Sequence, residues 1–319
     1  MTNDYIIKTE GLTKKFHEQI AVQNVDLEIP RGAIVGFIGP SGSGKTTTVR
    51  LLTGIYKPTA GNALVLGYHP RNFTRSIREK IGYMPQLFAL YPELSVWENL
   101  NFAASIYGLD LNNRKPRFNE LLDFVNLTEH KKKVARNLSG GMKRRLSLAA
   151  TLVHNPELIF LDEPTAGIDP VLRRKFWDHF KKLQDGGCTL FITTQYVGEA
   201  TYCDLVAVMV EGRIVMMDTP ETLRYKAFDG EMVDLYTKER LIHRDLLHLR
   251  KLPFVRQKTI IRINSNGVRL GVEKASTAIP ALLEWCDAEF VKVESIEEYL
   301  PPFDDVFVEL VKDVITHEE

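Results

Sequence analysis

Gly39-Pro40-Ser41-Gly42-Ser43-Gly44-Lys45-Thr46 carries the most explicit chemistry in the chain. Closely spaced phosphate oxygens need backbone N–H groups with no side chains in the way, and glycines at 39, 42 and 44 supply them. Lys45 adds a mobile positive charge for β- and γ-phosphates, and Thr46 offers a hydroxyl to Mg2+. A second group is the apolar run Leu158-Ile159-Phe160-Leu161, which ends in Asp162-Glu163. One carboxylate can hold Mg2+, directly or through water, and the next can polarise an attacking water. Alone, the pair also reads as a helix N-cap. Leu138-Ser139-Gly140-Gly141-Met142 precedes a helical pattern over 143–153, and a serine with two glycines at a helix N-terminus makes an anion site. Such sequences are also common turns. Gln86, in Tyr83-Met84-Pro85-Gln86, and the turn Ala166-Gly167-Ile168-Asp169 carry no chemistry by themselves.

These residues need elements to position them. The apolar run at 33–38 reads as a buried parallel strand, and 47–53 reads as a helix whose N-terminus faces the phosphates. From Tyr5 to about Pro220, apolar runs alternate with helical patterns, the signature of an α/β sheet. Ligands of such sheets bind at the carboxyl ends of strands, so Asp162 and Gln195 are expected to converge on the phosphate loop. The stretches 205–210 and 213–217 flank Glu211-Gly212 as a hairpin. Residues 88–155 read as a mostly helical insertion, with a capping box at Ser95-Val96-Trp97-Glu98.

The texture changes after Glu221, giving a first domain over 1–221 and an accessory α+β domain over 222–319. Within the second, 231–236 reads as strand and 239–249 as helix. Strands at 259–263 and 268–272 flank Asn266-Gly267, followed by a helix at 278–285 and an extended segment at 290–293. The order β-α-β-β-α-β is ferredoxin-like.

Composition bounds the partners. A chain of 319 residues has room for two cores. Lys+Arg and Asp+Glu both number 41, so no global charge points to nucleic acid or an anionic membrane surface. The runs Lys131-Lys132-Lys133, Lys143-Arg144-Arg145 and Arg173-Arg174-Lys175 read as solvated faces. Cys188, Cys203 and Cys286 have neither disulfide-scaffold nor zinc-site spacing, which fits a reducing cytosol. The polar opening Met1-Thr2-Asn3-Asp4 is no secretory signal, and no apolar run approaches the ~20 residues that span a bilayer. A role at a membrane would require another chain.

Together the motifs resemble one family, the ATP-binding subunits of ABC transporters. The matches are the phosphate loop at 39–46, Gln86 as the Q-loop glutamine, the signature at 138–142, the Walker B strand ending at Asp162-Glu163, and the D-loop around Asp169. The segments at 90–96 and 165–170 are similar to the exporter branch of drug-resistance, polysaccharide and lipid exporters. The resemblance covers about residues 5–220.

It implies an ATPase that uses ATP and Mg2+, with two such domains dimerising head to tail around two ATPs. Lys45, Thr46 and the loop residues Gly39, Pro40, Ser41, Gly42, Ser43, Gly44 and Thr47 would bind the phosphates. Thr46 and Asp162 would hold Mg2+, Glu163 would be the general base, and Gln86 would touch Mg2+ or the attacking water and report to the membrane subunit. Ser139, Gly140 and Gly141, with Asp169, would bind the nucleotide of the partner in trans. Phe16 occupies the place of the aromatic that stacks on adenine, with core packing as its rival. The partners implied are a second ABC ATPase, as homodimer or heterodimer, and separate membrane-spanning subunits. The location implied is cytoplasmic, peripheral on the inner face of the cell membrane.

One position departs from the family. Gln195 stands where a histidine usually contacts the γ-phosphate, and glutamine can neither carry charge nor pass a proton. Hydrolysis is therefore expected to be slow, which keeps open a nucleotide-gated dimerisation module. A soluble ABC ATPase of DNA repair, chromosome structure or translation is the other alternative, set against the absence of a long heptad run. A GTPase is disfavoured by the lack of an Asn-Lys-x-Asp base-reading motif.

Overall fold

The computed structural model describes residues 5–315, the side chains of 257–259 and 313–315 excepted; the polar opening at 1–4 lies outside the described residues. Two compact units divide between Met217 and Asp218. In chain order the first unit contains β1 (Tyr5–Phe16), β2 (Gln19–Pro30), β3 (Ile34–Ile38), α1 (Lys45–Leu52), β4 (Ala60–Val65), α2 (Arg75–Arg78), β5 (Ile81–Met84), α3 (Val96–Ile106), α4 (Leu111–Phe124), α5 (Gly140–Thr151), β6 (Leu158–Asp162), α6 (Pro170–Asp185), β7 (Thr189–Thr194) and β8 (Leu205–Val210), ending in β9 (Arg213–Asp218).

Its central sheet has the order β5-β6-β7-β3-β8-β9, and neighbours from β5 through β8 run parallel. Every residue of β3, β6 and β7 is buried, in keeping with the apolar runs at the centres of these strands. Phe37, Phe160 and Phe191 pack together in the core beneath α1. A second sheet, β2-β1-β4, is antiparallel and was not anticipated from the sequence. Register shifts interrupt the alternation of β1, while β2 alternates buried and exposed residues from Val25 to Ile29.

Between β5 and β6 the elements are helical, as the insertion at 88–155 required. The capping box forms: Glu98 N donates to Ser95 Oγ at 3.2 Å, and Ser95 N donates to Glu98 Oε2 at 2.7 Å. At the β8–β9 hairpin both Glu211 and Gly212 have positive φ, as a two-residue turn demands.

The second unit contains α7 (Pro220–Phe228), β10 (Glu231–Thr237), α8 (His243–Lys251), β11 (Val255–Arg262), β12 (Gly267–Val272), α9 (Ala275–Ala288), β13 (Val293–Tyr299) and α10 (Phe303–Ile315). Its sheet is antiparallel, ordered β11-β12-β10-β13, over a core that includes Val233, Leu235, Leu270 and Leu282. The expected boundary at 221/222 falls inside α7. That helix belongs wholly to the second unit: the Arg224 guanidinium lies 5.5 Å from the Phe303 ring centroid on α10.

Two local expectations are corrected. The expected hairpin around Asn266-Gly267 forms, but its loop between the paired Arg262 and Val268 is longer than a two-residue turn. Asn264 Oδ1 accepts from Asn266 N at 2.8 Å, closing the loop earlier, and Gly267 joins β12 against the Tyr236 ring. The extended segment placed at 290–293 begins only at Val293, because Phe290 turns with φ +60.

Candidate active site

Strand register brings the chemistry together. Asp162 of β6 pairs with Thr193 of β7, and Thr194 pairs with Ile38 of β3. The carboxyl ends of three adjacent strands therefore deliver Asp162-Glu163, Gln195 and the loop at 39–46 to one place. Gly44 has φ +107, and a Cβ there would run into the Ala21 carbonyl, so the loop's last turn admits only glycine. The following helix, α1, has no side-chain cap at its N-terminus, which keeps its first amides available to an anion.

A cavity of about 450 Å3 opens over this loop, with Lys45, Thr46, Thr47, Gln86 and Glu163 among its walls. Lys45 Nζ donates to the carbonyls of Gly39 and Pro40, both at 2.8 Å. Burial pushes the Lys45 ammonium below the usual lysine range, against the pull of Glu163 and Asp162.

Asp162 is fully buried. Its Oδ1 accepts from Thr46 Oγ1 at 3.0 Å and from Thr193 Oγ1 at 2.6 Å. Its Oδ2 is buried with no hydrogen-bond partner. An orphaned carboxylate oxygen is costly, and a cation beside the Thr46 hydroxyl would satisfy it. The donor set is all oxygen, which suits Mg2+.

Glu163 has φ +53, a left-handed conformation uncommon for a residue with a side chain. Its N–H donates to Thr193 O and Thr193 Oγ1 at 3.0 and 3.1 Å. Both carboxylate oxygens are taken: Gln195 Nε2 donates to Oε1 at 2.6 Å and Gln86 Nε2 donates to Oε2 at 3.1 Å.

Arg144 belongs to this site as well: the run Lys143-Arg144-Arg145 reads as a solvated face, yet neither arginine is exposed. Arg144 Nη1 donates to Gln86 O at 2.9 Å, and Nη2 donates to Asp162 O at 2.9 Å and also to Glu163 O. Burial lowers the Arg144 guanidinium below its usual range, while Glu163 and Asp162 oppose that shift. Arg145 Nη1 caps α4 through the carbonyls of Val125 and Asn126 at 3.1 and 2.9 Å. The available signal was helical spacing, since Arg144 shares a face with buried Leu148 and Thr151. Arg173 is likewise no solvated charge: it stacks 4.2 Å from the Tyr196 ring centroid beside the buried Glu199. The run at 131–133 is exposed, as expected.

Ser139 caps α5, its Oγ accepting from Met142 N at 3.3 Å, and Asp169 caps α6, its Oδ1 accepting from Leu172 N at 3.0 Å. Ser139, Gly141 and Asp169 line a separate cavity of about 450 Å3, and Gly140 is exposed close by. Within one chain the structure does not bring them to Lys45. Phe16 lies outside the lining of the loop cavity. It is 37% exposed and meets Tyr56 edge-on at 5.3 Å, so it is not a core residue.

Residues 22–166 match the family model described as ABC transporter. The chain is 37% identical over 246 residues to the "Probable multidrug ABC transporter ATP-binding protein YbhF" of Escherichia coli (strain K12), covering 76% of this chain and 42% of YbhF. It thus spans less than half the length of that relative. It is 34% identical over 311 residues to the "Daunorubicin resistance ATP-binding protein DrrA3" of Streptomyces coeruleorubidus, covering 97% of each. Among solved structures it resembles the dimeric post-hydrolysis state of the ATP-binding cassette MJ0796 bound to ADP and Pi. There the TM-score is 0.63 at 28% identity, over 67% of this chain and 98% of that one.

Proposed function

The chain belongs to the ATP-binding proteins of ABC transporters, and on that premise we propose that it hydrolyses ATP to drive an exporter through separate membrane-spanning subunits. The observation that carries the reading is the buried Asp162 Oδ2, left without a partner beside Thr46 and next in sequence to Glu163. Thr46, Asp162 and Gln86 would hold Mg2+. When bound, Mg2+ would offset negative charge on the phosphate oxygens.

Lys45 exchanges the carbonyls of Gly39 and Pro40 for β- and γ-phosphate oxygens, which the amides of the loop also cradle. Glu163 accepts the proton of the attacking water through a lone pair that neither amide donor occupies. Gln195 cannot then take up charge, so turnover is slow. That same contact favours the second reading, a module that closes on ATP and hydrolyses it reluctantly. Phe16 stacks on adenine, and its exposure supports this over core packing.

Ser139, Gly140, Gly141 and Asp169 serve the nucleotide of a second subunit, since their cavity is separate from the Lys45 cavity. The dimeric state of the MJ0796 cassette supports this arrangement. A homodimer would hold two slow sites, whereas a heterodimer partner could keep the histidine.

Among the described residues no helix is long and apolar enough to cross a membrane. A cavity of about 610 Å3 has Phe73, Tyr107 and the exposed Ile55 and Ile106 in its walls beside Arg75, Arg78 and Glu79. It would seat a membrane subunit, which supports a peripheral location on the inner face of the cell membrane. The strand order of the second unit supports reading it as a ferredoxin-like accessory domain that strengthens dimerisation, with a passive extension as its rival.

Glu163→Gln tests the reading, because it keeps shape and removes basicity. The variant should bind ATP, fail to hydrolyse it, and accumulate as a dimer on size exclusion with ATP. A monomer that binds ATP normally would remove Glu163 as the base.

A further inference from the structure

We propose that Arg144 is a positioning residue that couples the two ATP sites of the dimer, tying the signature helix to the backbone of Gln86 and Glu163. The proposal rests on the dimer reading above. Arg144 stands five residues after Ser139 on α5, roughly 7.5 Å along the helix. Its guanidinium holds carbonyls from two separate segments: Gln86 on one side, Asp162 and Glu163 on the other. Gln86 and Glu163 are also the residues whose side chains meet at 3.1 Å. One planar fork therefore fixes the main chains of a pair that touches through its side chains.

Glu163 depends on such a grip. Its left-handed backbone is held at N–H by Thr193 and at its carbonyl by Arg144 and Ala166 N. If α5 shifts as Ser139 and Gly141 close on the partner's ATP, Arg144 carries that shift to Glu163, which serves the other ATP. The bistable element is the Gln86–Glu163 contact, engaged or released. Occupancy of one site then sets the base of the other, and the two sites fire cooperatively.

Lysine offers a single ammonium and cannot hold two segments in one plane. The experiment compares the full chain with Arg144→Lys and Arg144→Met, measuring thermal midpoint, binding of a fluorescent ATP analogue, and turnover against ATP concentration. Binding should be unchanged within about twofold and turnover should fall roughly tenfold or more, with little change in KM. The Hill coefficient should drop from a value approaching about 2 toward about 1 in both variants, with the lysine variant retaining more turnover. Turnover that falls while the Hill coefficient stays at its wild-type value would overturn the coupling, as would no effect at all. If the methionine variant does not fold, the Hill coefficient of the lysine variant decides. An unsubstituted chain that binds ATP and never dimerises would overturn the functional reading itself, a result visible before any variant is made.

Discussion

Gln195 donates its side-chain N–H to Glu163 Oε1 at 2.6 Å, on the carboxylate oxygen opposite the one held by Gln86. The bond links the end of β7 to the end of β6 and engages one lone pair of the general base's carboxylate.

Replacing this amide by an imidazole would place beside the carboxylate a group able to carry charge and pass a proton. Gln195→His is expected to raise steady-state turnover by about tenfold, both for the ATPase and with its membrane subunits. Fast wild-type turnover that histidine leaves unimproved would show that glutamine is competent there.

Lys45 braces its own loop through Gly39 and Pro40. Lys45→Ala removes that brace along with the charge-assisted contact to phosphate, a loss of about 1.5–3 kcal/mol or more. Titration calorimetry should show ATP affinity reduced at least about tenfold, and hydrolysis should disappear. Near-normal turnover in the purified variant contradicts the phosphate-loop assignment.

His154 stacks flat on Tyr107 at 3.6 Å, and burial lowers its imidazole to about 4, with the Ile81 carbonyl pulling the other way. The folded value lies below the ordinary histidine value of about 6.5. The unfolded chain therefore binds the extra proton first, and stability is lost as pH falls from about 6.5 toward about 4. His179, stacked on Phe124 and also lowered by burial to about 4, acts in the same direction. His154→Phe keeps an aromatic on Tyr107 and removes the titration. The difference in thermal midpoint between about pH 7 and about pH 5 should shrink. An unchanged difference would dismiss His154 as a source of acid sensitivity.

A chain truncated after Met217 keeps every residue that lines the Lys45 and Ser139 cavities. It should fold and bind ATP, yet associate less well with ATP in sedimentation velocity. Equal association would leave the second unit without its proposed role.

Much of this site was legible because its chemistry is local in sequence. The loop at 39–46 and the strand ending at Asp162-Glu163 each declare themselves by residue type, and parallel register explains their meeting. Arg144 was illegible for the opposite reason. Its three acceptors are backbone carbonyls, which no residue type announces, and its charge invited a reading as solvated surface. In the sheet β2-β1-β4 only β1 loses the period of two on which strand recognition depends; β2 alternates from Val25 to Ile29, a signal the sequence did carry. The helix α10 follows a Pro-Pro pair and lies beyond the β-α-β-β-α-β pattern of the second unit.

The Lys45 cavity and the Ser139 cavity share no lining residue. In a head-to-tail pair, damage to one face leaves the other face of the same chain whole. Two separately inactive alleles, Lys45→Ala and Ser139→Arg, should therefore complement each other only in part when co-expressed. The mixed pair joins the sound phosphate loop of one product to the sound signature of the other, restoring one centre whose base lacks the signal of the second, where both lesions meet.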